Sequence, residues 1–271
     1  MLTKEAFREG VLGRTGRKVL RLGLAGGYGV SAEGVEMAVE RGVNYLYHGS
    51  IRRDGMTQAI KNLTGKGKRE QLIIVAQIYW REWAWPFNRS FYSFLKNNGL
   101  EYVDVLLLGW HNGPPSQKTL DICSDLKVKG LFRHLAISGH NRKAFPEFAA
   151  SGLYDAMMTR YNAVHRGAED EIFPHIDKER SVRPAITTYT TTCWGQLLKS
   201  GNTPSGEATP KASDCYRFVM SNPTVDVCMS GPKNMDELKE ALSALDKGEM
   251  SEAEMKWMRK VGDYIHSGKA K

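Results

Sequence analysis

Short apolar runs alternate with stretches in which apolar residues recur every three to four positions, along almost the whole chain. The runs are about five residues long and nearly continuously apolar, as strands of a parallel sheet covered on both faces require. The stretches between them have the period of amphipathic helices. The strands predicted in this way are Leu22–Leu24, Tyr45–Tyr47, Leu72–Gln77, Val103–Leu108, His134–Ser138, Ala156–Tyr161, Pro184–Tyr189 and Val225–Ser230.

A helical pattern follows each predicted strand, which gives eight strand–helix units. The predicted helices are Ala32–Glu40, Gly55–Leu63, Asn88–Lys96, Leu120–Lys129, Arg142–Ala149, Glu169–His175, Ala212–Ser221 and Met235–Asp246. Eight such units in about 250 residues predict an α/β fold, the (β/α)8 TIM barrel. A doubly wound sheet is the alternative, but "GGYG" after the first strand lacks the expected glycine pattern.

Two further elements are predicted outside the barrel units. An N-terminal β-hairpin is indicated by "VLGRTGRKVLRLGL", with the turn at "RTG", where Gly16 supplies the positive φ. An extra amphipathic helix, Glu252–His266, closes the chain. We therefore expect a single barrel domain over residues 1–271.

Composition narrows the class of protein. The apolar fraction of 41% is that of a globular protein, and the longest apolar run, "VDVLLLGW", is too short to span a membrane. The opening "MLTKEAFREG" has no apolar signal segment, and the four cysteines form no CxxC pair. We therefore expect a cytoplasmic protein with reduced thiols, no metal site and no membrane partner.

The net charge of +8 is spread along the chain rather than gathered into a stripe with aromatic residues. Nucleic acid is therefore not the expected partner. A positive field of this kind favours a small-molecule partner, anionic or planar in character. The sequence carries no signal of oligomeric state.

In a barrel of this type the site lies at the carboxyl ends of the strands. Aromatic, imidazole and guanidinium side chains crowd the predicted ends, and carboxylates are few. We expect substrate contacts from His48, Trp110, His140 and Arg160. We expect catalytic roles for Tyr47, Arg52, Arg53, Gln77 and His111.

Each predicted catalytic residue has an alternative structural role. Tyr47 is either a phenol acid or an aromatic plug. Arg52 and Arg53 either clamp an anion or pair with Asp54 in a solvated loop. His111 is either a general base or a hydrogen-bond partner of a loop backbone. The amide of Gln77 binds a ligand or satisfies its neighbours.

Motifs spread over nearly the whole chain resemble those of the aldo-keto reductase superfamily. They are "LGRTGRKVLRLGLAGGYG", "AVERGVNY", "YVDVLLLGW", "HLAISGH", "RYNAVHRGAE", "TTYTTTCWGQLL" and "NPTVDVCMSGPKNMDELKEAL". The resemblance implies a barrel that reduces carbonyls with NADPH or NADH, using an Asp, a Tyr, a Lys and a His at its mouth.

This chain departs from the family tetrad. Tyr47 stands where the resemblance places the Asp, and Arg52 or Arg53 where it places the Tyr. Gln77 stands in place of the Lys, and Gly109 in place of the His. The usual proton donor is therefore absent by residue type.

The resemblance also implies cofactor contacts, several of them weakened. Tyr189 stands where the family stacks an aromatic ring under the nicotinamide, and Ser138 keeps half of a Ser–Asn pair. Glu237 replaces the Arg that would hold a 2′-phosphate, with Lys233 as a substitute cation. The predicted cofactor contacts are Ser138, Tyr189, Ser230 and Lys233.

Three functions follow as alternatives. The first is an NADP- or NAD-dependent carbonyl oxidoreductase with an atypical or lost tetrad. The second is a cofactor-independent lyase or isomerase acting on a small anion. The third is a non-catalytic barrel that binds a ligand.

Overall fold

The computed structural model describes residues 3–49, 52–79 and 87–269. The strands, in chain order, are β1 (Glu9–Val11), β2 (Lys18–Leu20), β3 (Leu22–Ala25), β4 (Tyr45–Tyr47), β5 (Ile73–Tyr79), β6 (Val103–Gly109), β7 (Phe132–Ser138), β8 (Ala156–Arg160), β9 (Ala185–Tyr189) and β10 (Val227–Ser230). Strands β3 to β10 form a closed parallel barrel in sequence order, and β10 pairs with β3. The predicted TIM barrel is confirmed.

Helices surround the barrel. They are α1 (Lys4–Arg8), α2 (Ala32–Glu40), α3 (Asp54–Gly65), α4 (Phe87–Asn98), α5 (Gln117–Val128), α6 (Phe145–Ala150), α7 (Ala168–Glu171), α8 (Ala212–Met220), α9 (Met235–Lys247) and α10 (Glu252–His266). The hydroxyl of Ser31 accepts a hydrogen bond from Gly34 N at 3.2 Å, so the predicted start of α2 is a true N-cap. Within the described residues, no helix is long and apolar enough to cross a membrane.

Two helices illustrate how the structure departs from the predicted pattern. The predicted helix Glu169–His175 is split, because α7 ends at Glu171 and a separate 3-10 turn covers Phe173–His175. Pro174 has no backbone N–H and cannot continue an α-helix. Helix α1 was not predicted from the pattern, since it is a single turn whose N-cap is Thr3.

Buried side chains form two clusters on opposite sides of the barrel wall. One cluster fills the barrel and includes Tyr45, Val75 and Leu107. The other lies between the strands and the helices and includes Leu46 and Leu106. Alternate residues of one strand therefore face opposite cores, which explains why the barrel strands are apolar throughout.

The predicted hairpin is confirmed, and it closes the amino-terminal end of the barrel. Strands β1 and β2 pair antiparallel, and Gly16 has a φ of +69° in the turn between them. Leu12, which is fully buried, joins the cluster inside the barrel. Arg14 N donates to Arg183 O at 2.8 Å, which fixes the hairpin to the segment before β9.

Three aspartates near this end of the barrel make the same two kinds of contact. Each carboxylate accepts a backbone N–H from the neighbouring strand and pairs with an arginine. Asp104 accepts from Ile74 at 2.9 Å, Asp155 from Leu135 at 3.1 Å, and Asp226 from Ile186 at 2.8 Å. The paired arginines are Arg69, Arg14 and Arg183. These ion pairs set the register of strand pairs β5–β6, β7–β8 and β9–β10.

The extra helix predicted at the end of the chain is present as α10, and it docks through a partly exposed polar network. Both oxygens of Glu169 accept from Arg259, at 2.8 and 2.9 Å. The hydroxyl of Tyr161, just after β8, donates to the same carboxylate at 2.6 Å. The helix is thereby tied to the barrel wall close to the carboxyl ends of the strands.

Candidate active site at the carboxyl ends of the strands

A cavity of about 460 Å³ opens at the carboxyl ends of the barrel strands. Its volume lies in the range of small-molecule pockets. Eight of the predicted site residues line it, namely Tyr47, Gln77, Trp110, Ser138, His140, Tyr189, Ser230 and Lys233. Their roles stay predictions, but their convergence in one cavity is a property of the structure.

The floor of the cavity carries a phenol–amide pair. Tyr47 ends β4 and Gln77 lies near the end of β5, so neighbouring strands present both side chains to the same space. The hydroxyl of Tyr47 donates a hydrogen bond to Oε1 of Gln77. Both side chains are half-buried and line the cavity, so the pair is accessible to a ligand.

One wall of the cavity is built from Tyr189 and His140. The hydroxyl of Tyr189 lies 3.2 Å from Nδ1 of His140, which links the ends of β9 and β7. Burial raises the pKa of Tyr189, so this phenol stays protonated at neutral pH. The backbone N–H of His140 donates to Oδ1 of Asn112 at 2.8 Å, and this bond holds the loop in place.

Two serine hydroxyls and one cation also line the cavity. Ser138 and Ser230 are both buried at strand ends, and Oγ of Ser230 donates to Gly23 O at 2.8 Å. Lys233 is exposed at the mouth of the cavity, and its backbone N–H donates to the Glu237 carboxylate at 2.9 Å. Glu237 therefore folds back over the start of α9 and faces the cavity.

Two tryptophans stand at the mouth in strained backbone conformations. Trp110 and Trp194 are 59% and 63% exposed, and their φ angles are +64° and +54°. Thr190, which also lines the cavity, has a φ of +63°. Left-handed backbone at residues other than glycine is costly, and it often marks functional sites.

His48 was predicted to contact substrate, but the structure places it on the other side of the barrel wall. It is 1% exposed and lies edge-on to Phe94, with ring centroids 4.7 Å apart. Its Nε2 lies 2.9 Å from Oγ1 of Thr57. Burial lowers the pKa of His48 to about 4. The alternation of side chains along β4 explains this position, because Tyr47 faces inward and the next residue faces outward.

Four other predicted residues do not line the cavity. Arg52 and Arg53 are exposed, and Arg53 precedes the first residue of α3. The guanidinium of Arg160 lies 5.9 Å from the ring centre of Trp194, which does line the cavity. His111 uses its backbone N–H to bond Ser138 O at 2.8 Å, and burial lowers the pKa of its imidazole.

These positions change the electrostatic description of the site. Among the described residues that line the cavity, Lys233 and Glu237 are the charged ones, and they lie at its mouth. The floor is neutral, and neither Arg52 nor Arg53 is among the residues that line it. Within the same described ranges, no group of three metal-ligating side chains could hold a metal ion.

Several lining residues were not among the predicted site residues. They come from the loop after β9 and from helices α8 and α9, and they include Thr191, Thr192, Trp194, Tyr216 and Glu237. The "TTYTTTCWG" segment was a visible signal for the loop. Tyr216 reaches the cavity because α8 packs beside it, and no motif in the local sequence indicates that packing. The tryptophan-rich segment around Trp83 lies outside the described residues.

The closed (β/α)8 barrel, with a hairpin at its amino-terminal end and a cavity at its carboxyl end, is similar in fold to solved aldo-keto reductases. An aldo/keto reductase from Klebsiella pneumoniae, in complex with NADP and acetate, aligns with a TM-score of 0.73 at 18% identity, over 93% of this chain and 94% of that one. The apo form of an aldo-keto reductase from Bacillus halodurans aligns with a TM-score of 0.75 at 19% identity, over 94% and 95% of the two chains. The resemblance is confirmed at the level of the fold.

Sequence comparison gives a match to part of the chain. The NADH-specific methylglyoxal reductase of Escherichia coli (strain K12) is 22% identical over 147 residues. The matched part is 52% of this chain and 39% of that protein. No family model matches the chain.

Proposed function

We propose that the protein is a nicotinamide-dependent oxidoreductase that reduces a small neutral carbonyl compound. The observation that carries the proposal is the single cavity on an aldo-keto reductase fold, with Tyr189 on one wall and the Tyr47–Gln77 pair on its floor. Its neutral floor suits a carbonyl group better than a carboxylate or phosphate. A cofactor-independent enzyme for anions is less well supported, because Arg52 and Arg53 do not line the cavity.

The residues present fit a nicotinamide cofactor. Tyr189 offers an aromatic face, Ser138 offers a buried hydroxyl, and Lys233 offers a cation at the mouth. Ser230 is held by Gly23 and closes the wall beside them. A bound nicotinamide would supply the hydride, and the chain's own residues would orient the substrate and handle the proton.

NADH is the cofactor that the mouth of the cavity favours. Glu237 lines the cavity, and Asp236 lies beside it in the first turn of α9. Two carboxylates repel the extra phosphate of NADPH, whereas a ribose hydroxyl can donate a hydrogen bond to one of them. The preference agrees with the name of the NADH-specific relative from Escherichia coli.

Tyr47 is the proposed proton donor. A carbonyl oxygen bound over the floor would take the phenolic proton as negative charge develops, and the phenolate would regain a proton from water. General-acid help of this kind contributes about 10²–10⁴-fold to a rate. The rim residues Trp110 and His140 would enclose the rest of the substrate, for which methylglyoxal is the first compound to test.

Titration of the protein with NADH and with NADPH, followed by nicotinamide fluorescence, tests the cofactor. We expect NADH to bind below about 1 mM, a useful cofactor affinity, and NADPH to bind more weakly. Glu237→Gln should narrow the difference between the two, while Glu101→Gln, a change at an exposed residue outside the cavity, should leave it unchanged. Failure of both dinucleotides to bind at millimolar concentration would refute the redox function.

Measurement of the turnover rate then tests whether Tyr47 donates the proton. The rate of NADH oxidation with methylglyoxal, and with a panel of aliphatic and aromatic aldehydes, should fall by about 10²-fold or more in Tyr47→Phe. The aromatic C–H that replaces the hydroxyl cannot donate a proton. The NADH dissociation constant should stay the same, since the ring remains. An unchanged rate in Tyr47→Phe, with NADH still bound, would remove Tyr47 from the mechanism.

A further inference from the structure

The side chain of Gln77 spans the floor of the cavity between two other strands. Its Oε1 accepts the Tyr47 hydroxyl, which belongs to β4. Its amide nitrogen lies against Gly109, the last residue of β6. One amide thus connects β4 and β6 across β5, directly above the apolar layer that contains Val75 and Leu107.

Gly109 makes room for this arrangement. A β-carbon built at position 109 would overlap Nε2 of Gln77 and lie 3.1 Å from its Cδ. The φ of Gly109 is not among the positive values, so the glycine is not required by backbone conformation. A glycine in a strand interior weakens the strand, and it commonly marks a place where another group approaches closely. Here the approaching group is the amide of Gln77.

We infer that Gln77 is the positioning residue for Tyr47, and that it holds this position only because residue 109 has no side chain. The amide has its nitrogen blocked against Gly109, so its oxygen is directed at the phenol. A phenol without that acceptor could rotate away from the floor. Gln77 therefore acts through Tyr47, and Gly109 acts through Gln77.

The inference deepens the proposed function and rests on it for the role of Tyr47. The contact geometry itself does not depend on any cofactor. A test that includes unfolding as well as catalysis can therefore separate failure of the contact from failure of the redox function.

A double-mutant cycle on Gly109→Ala and Gln77→Ala tests the contact. Each single variant should lower kcat for carbonyl reduction by about 5- to 10-fold, because a phenol that is no longer held over the floor reaches the substrate less often, and one neutral hydrogen bond sets the size of that bias. The double variant should be no slower than Gln77→Ala, because the added methyl then meets no amide. Gly113→Ala is the matched control, since a β-carbon there meets nothing within 4 Å.

Two further measurements separate positioning from general structural damage. KM and the NADH dissociation constant should stay unchanged in Gln77→Ala, because only the proton donor is displaced. In a Tyr47→Phe background, Gln77→Ala should have no further effect on kcat. Gln77→Glu keeps an acceptor oxygen at the same reach and should recover most of the lost kcat.

Additive effects of Gly109→Ala and Gln77→Ala, in kcat and in melting temperature, would overturn the inference. A further loss of kcat from Gln77→Ala in the Tyr47→Phe background would overturn it as well. If no dinucleotide binds, the proposed function fails. The cycle is then measured by thermal unfolding, where Gly109→Ala should lower the melting temperature only when Gln77 is present.

Discussion

The buried ion pair at the start of β10 allows a prediction about stability. Asp226 is fully buried and Arg183 is 3% exposed, and two N–H···O bonds of 2.6 and 2.8 Å join them. The same carboxylate accepts from Nε of Arg180 and from the backbone N–H of Ile186, both at 2.8 Å. Four donors therefore converge on one carboxylate.

Asp226→Asn keeps the shape of this side chain and removes its charge. The substituted amide can accept at its oxygen but turns an NH2 group towards the guanidinium, which leaves Arg183 buried without a counter-ion. Breaking a buried pair from one side costs about 3–5 kcal/mol. A loss of that size is a large fraction of the 5–15 kcal/mol by which domains are typically stable.

Urea unfolding followed by far-UV circular dichroism measures the effect. Asp246→Asn is the control, because Asp246 pairs with Arg41 at the surface and both side chains are about half exposed. We expect that exposed pair to contribute less than about 1 kcal/mol. Adding Arg183→Met to Asp226→Asn should recover part of the loss, since the unpaired guanidinium is gone. Equal midpoint shifts for Asp226→Asn and Asp246→Asn would refute the reasoning.

Three further predictions concern the stability of the fold. The pKa of His48 falls from 6.5 to about 4 on folding, so below pH 6.5 the unfolded chain binds a proton that the folded chain does not. Folding stability should therefore drop by about 3 kcal/mol between pH 6.5 and pH 4. Urea unfolding at several pH values measures this drop, which should be smaller for His48→Gln. Gly262→Ala should destabilise by about 1–3 kcal/mol, because its β-carbon would overlap Ala163 O, whereas Gly113→Ala should be nearly neutral in the same melting assay. Trp194→Gly should be about 1 kcal/mol more stable than Trp194→Ala, because only glycine adopts the left-handed φ freely; the opposite order would contradict this account of strain.

The sequence predicts the barrel well because its strands are buried on both faces. Tyr45–Tyr47 is apolar at every position and is found with the predicted limits. The other barrel strands also end within two residues of their predicted limits. The extra helix Glu252–His266 also has its predicted limits, because Ser251 and Glu254 form a capping box.

The site is predicted less completely, and the reasons are geometric. Side chains that end a strand alternate between the cavity and the outer core, so Tyr47 lines the cavity and His48 does not. Arg52 has a left-handed backbone, so spacing in the sequence does not fix the direction of its side chain. Tyr216 and Glu237 arrive from helices whose position depends on packing across the whole barrel.

The phenol–amide pair on the floor also bears on how much catalysis this site can retain. The hydrogen bond from Tyr47 to Gln77 keeps the donor in place, but it must be exchanged for one to the substrate before the proton can move. A neutral hydrogen bond contributes about 1 kcal/mol net. General-acid help of about 10²–10⁴-fold corresponds to about 3–5 kcal/mol of transition-state stabilisation. The cost of releasing the phenol from the amide is smaller than the help it can give, so a neutral acceptor can position this proton donor without disabling it.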